Sequence, residues 1–111
     1  INFIHHKEIN KNISKFNIII NCTDIGFDKK KNVCPMPEKL IKKINKKAVI
    51  FDVIYNPIET KFLKISKKEN LKTLNGEKMN LLQAALAFNY ANNLNKNNII
   101  TKKSLSYFKK K

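Results

Sequence analysis

Gln83 stands alone as an amide in the run Leu81-Leu82-Gln83-Ala84-Ala85-Leu86-Ala87-Phe88. A group that both donates and accepts is costly to bury without hydrogen-bond partners. A ligand hydroxyl is one such partner, and a backbone group is another. Gly76 lies seven residues upstream, where the helix that carries Gln83 would begin. With no side chain it lets a flat ring come close to the backbone, and the helix amides after it favour an anion. Polar side chains also close two apolar runs. Asn21 and Thr23 follow one of them, and Asp52 and Tyr55 end the other. Each has a plainer use. Asn21 and Asn75 suit turn or helix caps, and Tyr55 suits a core position with a wet hydroxyl. Metal chemistry is not expected. His5 and His6 are adjacent, so on a regular element they point in different directions. Cys22 and Cys34 form no CxxC pair, and two thiols do not make a zinc site. They read as reduced thiols.

These side chains need elements to hold them, and the chain shows a repeated strand–helix rhythm. Residues 1–15 are mixed, with apolar Phe3, Ile4, Ile9 and Ile13, and suit a short helix. Phe16–Cys22 is a continuous apolar strand, the kind covered on both faces in parallel sheets. A polar loop with Gly26 spans 23–32. Pro37 suits a first helical position, and Leu40, Ile41 and Ile44 give that helix its apolar face. Residues 47–55 read as a second strand. Residues 60–70 read as a second helix, with Phe62, Leu63 and Ser66 on one side. A short third strand, 71–74, precedes a third helix over 78–93, whose apolar run 81–88 suits a buried soluble helix. An Asn-rich break at 92–98 leads to a basic helical tail at 102–110. Strands alternating with helices imply a parallel α/β sheet. Three βα units plus a C-terminal helix make half of a doubly wound, Rossmann-like sheet. Residues 1–93 form that half, and 94–111 form the break and tail. In such sheets ligands sit outside the carboxyl ends of the strands, where Asn21–Gly26, Asp52–Tyr55 and Asn75-Gly76 would meet.

Composition narrows the field. The chain has 111 residues, room for one domain at most, and opens on Ile rather than Met. It reads as a fragment or a processed piece. No apolar run approaches the roughly 20 residues of a membrane helix. Net charge is +15, which raises nucleic-acid binding as a class. Every basic residue is Lys, however, and Arg is the usual choice for bidentate phosphate and guanine contacts. Lys, Asn and Ile make up about half of the chain. A solvated surface with drifted composition explains this, and no nucleic-acid partner is expected. The GxGxxG phosphate turn is absent, since Gly26 and Gly76 are the two glycines.

Four segments resemble the shikimate dehydrogenase family, in order and in spacing, over about 16–93. Asn21-Cys22-Thr23-Asp24-Ile25-Gly26 resembles its Asn-Ala-Thr-x-x-Gly turn. Cys34-Pro35-Met36-Pro37 resembles its Pro-containing loop. Asp52-Val53-Ile54-Tyr55-Asn56-Pro57-Ile58-Glu59-Thr60 resembles Asp-x-x-Tyr-x-Pro-x-x-Thr. Gly76 through Met79 to Gln83-Ala84-Ala85 resembles Gly-x-x-Met-x-x-x-Gln-Ala. Cys22 and Asp24 depart from the usual Ala and Pro, and Glu77-Lys78 puts charges where the family is often apolar.

The resemblance implies an NADP-dependent enzyme of chorismate biosynthesis, reducing 3-dehydroshikimate to shikimate. It implies substrate contacts from Tyr55 and Gln83. It places Val53 and Gly76 against the nicotinamide end of the cofactor, with Asn21 and Thr23 lining the same cleft. It implies a cytoplasmic or plastid protein. The family's catalytic Lys–Asp pair lies in an N-terminal substrate domain, and its Gly-rich phosphate turn lies just upstream. Neither is among these residues, so no catalytic residue is assigned and the piece alone is expected to be inactive. A quinate-type or noncatalytic paralogue that still binds a nucleotide is the second class, and a basic nucleic-acid-binding module the third.

Overall fold

The computed structural model describes residues 8–94 together with 102, 103 and 106. The elements are α1 (Ile9–Asn12), β1 (Ile18–Asn21), α2 (Glu38–Ile41), β2 (Val49–Asp52), α3 (Lys61–Lys68), β3 (Lys72–Leu74) and α4 (Glu77–Ala91). Short 3-10 turns lie at Ile13–Lys15 and Asp28–Lys30. The chain divides after Asn75 into two compact units.

In the first unit, three parallel strands form one sheet in the order β1-β2-β3. This is the parallel, Rossmann-like α/β arrangement that the strand–helix rhythm implies. Each strand is shorter than its apolar run, because hydrogen-bonded pairing stops where the backbone turns away. Side chains alternate between faces. Ile19 and Asn21 therefore share a face with Ile50 and Asp52, and the register pairs Ile19 with Ile50 and Asn21 with Asp52. That face carries the core: Ile41, Ile44, Ile50, Phe62 and Leu63 form one cluster, with Cys34 and Met36 packed at its margin. The other face presents Ile18 and Ile20 to solvent.

The helices follow their local signals. Leu40, Ile41 and Ile44 are all buried, as their spacing requires. Pro37 is the N-cap of α2 rather than its first helical residue, in an extended conformation with ψ 140°. Thr60 caps α3, its hydroxyl accepting from the Leu63 amide at 3.3 Å. Phe62, Leu63 and Ser66 line the buried side of α3, and Ser66 donates to the Phe62 carbonyl at 2.8 Å.

The second unit, described by itself, contains α4. Here one expectation fails. Most of the 81–88 run is exposed or half-buried, and Ala85 is its buried member. The cause lies in the pattern. Apolar residues fall on all sides of α4, so no one-sided packing covers them. The Asn-rich break is described only as far as Leu94, where a turn closes on the Asn89 carbonyl. Of the basic tail, 102, 103 and 106 are described, and all three are helical. His5 and His6 lie outside the described residues.

Candidate functional site

Parallel register sets the strand ends level. Asn21 and Asp52 end β1 and β2 as direct partners, and the Val53 amide continues the ladder to the Asn21 carbonyl at 3.2 Å. β3 is in step, with Phe51 paired to Leu74. The carboxyl ends of the three strands thus lie along one edge of the sheet.

A buried polar network joins the first two turns. Asn21 and Asp52 sit side by side on the core face, out of solvent. The Asn21 amide nitrogen donates to Asp52 Oδ1 at 3.1 Å and to the Ile25 carbonyl at 3.0 Å. Its oxygen accepts from the Thr23 amide at 3.1 Å and from the Thr23 hydroxyl at 2.7 Å. The Thr60 hydroxyl donates to Asp52 Oδ2 at 2.7 Å, and the Ile54 amide donates to Asp52 Oδ1 at 3.2 Å. An Asn followed two residues later by a bonded amide is an Asx turn. Asn21 therefore shapes the backbone that follows β1, and its side-chain donors and acceptor are engaged within the protein.

Gly26 completes the turn. Its φ is +114°, a conformation that side chains rarely adopt. A Cβ there would lie 3.1 Å from Ile54 Cδ1 and 3.3 Å from Thr60 Cβ. The turn after β1 is thus pressed against the segment after β2.

The two segments line an open pocket of about 230 Å³, bordered by Asp24, Phe27, Val53, Ile54, Tyr55 and Asn56. Val53 and Tyr55, both singled out in the sequence, share it. Phe27 was not singled out, and Asp24 was noted only as a departure from the family's turn. Phe27 is an exposed aromatic one residue past the Gly turn, and that placement was the available signal. The Lys30 ammonium binds Asp24 at 2.7 Å and holds its carboxyl below the ordinary value of 3.8. Thr23 lies elsewhere, in a larger groove of about 630 Å³ along β1 that also takes in Ile18, Ile20 and Met36. Cys22 is exposed and Cys34 half-buried, and both are free thiols. Burial pushes the Cys34 thiol up from 9.0.

Gly76 and Gln83 belong to the second unit. Gly76 is the N-cap of α4 with φ −79°, a value open to any residue. Gln83 is exposed rather than buried, and its amide donates to Asn80 Oδ1 at 3.3 Å, three residues back on the same helix. The desolvation argument for a ligand there therefore does not hold within this chain. Asn89 is the buried amide of α4. Among the described residues no group of three or more His, Cys, Asp and Glu could hold a metal. No helix among them is long and apolar enough to cross a membrane.

A parallel α/β sheet with interlocked turns at the carboxyl ends of its strands defines a Rossmann-like α/β class of domain. No family model matches the chain. It is 42% identical over 86 residues to the NADP(+) shikimate dehydrogenase of Methanococcus vannielii, covering 78% of this chain and 30% of that protein. A shikimate dehydrogenase solved in complex with NADP+ superposes with a TM-score of 0.64 and 39% identity, over 79% of this chain and 30% of that one. The enzyme of Listeria monocytogenes, solved with shikimate and NAD, gives a TM-score of 0.65 and 29% identity, over 76% and 28%. The chain belongs to the shikimate dehydrogenase family, and it spans about a third of the length of its relatives.

Proposed function

We propose that this chain is the C-terminal, cofactor-binding portion of an NADP-dependent shikimate dehydrogenase, which reduces 3-dehydroshikimate in aromatic amino acid biosynthesis. The observation that carries the reading is the interlocked pair of turns after β1 and β2. They are built from the two segments that most resemble the family, and they place Val53 and Tyr55 on one pocket. NADPH supplies the hydride when bound. Val53 and its apolar neighbour Ile54 offer a wall suited to a nicotinamide ring, so the residues fit that end of the cofactor. They do not fit its phosphates, since the chain has no Gly-rich turn.

Cofactor contacts are assigned to Asn21, Thr23, Val53 and Gly76. Asn21 acts through the backbone it shapes, because its side chain is already engaged. Tyr55 and Gln83 are assigned to the substrate, and both are exposed and so available to a ligand. Reduction of a ketone also needs a proton donor within hydrogen-bond reach of the forming alkoxide. That acid belongs to the substrate domain of the full enzyme, which is this chain's partner.

The test is direct. The purified 111-residue chain should show no shikimate-dependent NADP reduction, and a polypeptide extended to the length of its relatives should show it. Turnover by the chain alone defeats the fragment reading. An inactive extended protein that still binds NADP points to the noncatalytic paralogue, and a preference for quinate over shikimate points to the quinate-type enzyme.

Gln83→Ala in the extended enzyme should weaken shikimate binding more than cofactor binding. Loss of one neutral hydrogen bond costs on the order of 0.5–1.5 kcal/mol, a several-fold rise in KM for shikimate. A change confined to the NADP constant would reassign the residue.

A further inference from the structure

We propose that Asp52 is a positioning residue: it ties the turn after β1 to the segment after β2, and cofactor binding depends on that tie. The inference rests on the reading above, in which the two segments line a cofactor site.

The argument begins with register. Asn21 and Asp52 are partners on adjacent strands and face the same core, so neither reaches water. A buried carboxylate needs donors. Asp52 receives three, from three stretches of chain: the Asn21 amide on β1, the Ile54 amide just past β2, and the Thr60 hydroxyl at the start of α3. Asn21 relays the hold outward, since its remaining hydrogen and its oxygen fix Ile25 and Thr23. The Thr23 hydroxyl in turn accepts from the Ile25 amide at 3.2 Å. A continuous path of bonds thus runs from the α3 cap to the turn after β1. Among the described residues no buried side-chain nitrogen or oxygen lacks a partner, so the network is closed.

Charge type matters as much as shape. A carboxylate only accepts, and all three neighbours donate. An amide at 52 would turn an NH2 toward one of those donors. The Thr60 oxygen already accepts from Leu63, and its hydrogen would then lose the acceptor it now has. Thr60→Val keeps the volume but removes the donor. Thr60→Ser keeps the hydroxyl.

The experiment uses the full-length enzyme with Thr60→Val, Thr60→Ser and Asp52→Asn. Hydrogen exchange is read by mass spectrometry in a peptide spanning 21–26 and, as reference, in 38–44 of the core. NADP affinity is measured by equilibrium titration. In Thr60→Val and Asp52→Asn, exchange in 21–26 should accelerate about tenfold relative to 38–44, the size of losing one hydrogen bond to a charged group. NADP should bind about tenfold more weakly, and Thr60→Ser should restore both. A purely structural role would speed both peptides alike and overturn the proposal. Faster exchange in 21–26 with unchanged NADP affinity also overturns it. Unchanged exchange in an enzyme that binds NADP defeats this inference alone. A wild-type enzyme that binds no NADP defeats the proposed function, and the cofactor half of this inference with it.

Discussion

Gly26→Val should destabilise the protein by about 2–6 kcal/mol, the sum of two separate costs. The first is conformational. At φ +114° a side chain sits in a region that is essentially reserved for glycine, costing about 1–3 kcal/mol. The second is steric. The first carbon alone would stand 3.1 Å from Ile54 and 3.3 Å from Thr60, and valine adds two more. Overpacking of this kind costs about 1–3 kcal/mol. Thr60 cannot retreat, because its hydroxyl is held by Asp52. Against a total stability of about 5–15 kcal/mol, the loss is large. Chemical denaturation of the extended enzyme measures it, with Gly26→Ala separating the strain and first-carbon contacts from the added bulk of valine. A change within about 0.5 kcal/mol, the range of ordinary surface substitutions, would show that the turn relaxes freely.

The second large effect concerns the chain by itself, which should associate as salt rises. β1 lies at the edge of the sheet, with β2 on one side. Its outer-face residues Ile18 and Ile20 are 61% and 51% exposed. Unpaired amides and carbonyls beside bare apolar surface form a template for another chain. In the proposed parent enzyme a strand from the upstream half of the sheet takes that place. The +15 charge opposes association, and salt screens it over about 10 Å at roughly 0.1 M. Light scattering should therefore increase along a salt series and fall when the chain is extended upstream. A monodisperse monomer that melts cooperatively at every salt concentration would refute this.

The fold was legible where local pattern and tertiary need agree. Leu40, Ile41 and Ile44 have helical spacing, and one face is buried. Ile18-Ile19-Ile20 with Val49-Ile50 read as parallel strands, and they pair. The edge on which the candidate turns lie was legible, because parallel strands set their carboxyl ends level whatever the side chains. The inner chemistry of the turns was not. The sequence leaves Asn21 open between cap and ligand contact, since an amide suits both. Only the register against Asp52 shows its hydrogen bonds to be used. The exposure of Gln83 was hidden for a different reason. A run that is apolar on all sides does not reveal which face is covered, so burial could not be read from it.

The hydroxyl of Thr60 serves two structures at once, the start of α3 and the end of β2. On an isolated helix, Asp is as good a first residue as Thr. At position 60 it would set a second carboxylate against Asp52, and helix preference and strand chemistry would conflict. Substitution tolerance at this helix boundary is therefore governed by a residue eight positions earlier in another element. A lineage drifting in composition can exchange surface lysines and asparagines freely, but position 60 must keep a hydroxyl donor for as long as position 52 is a carboxylate.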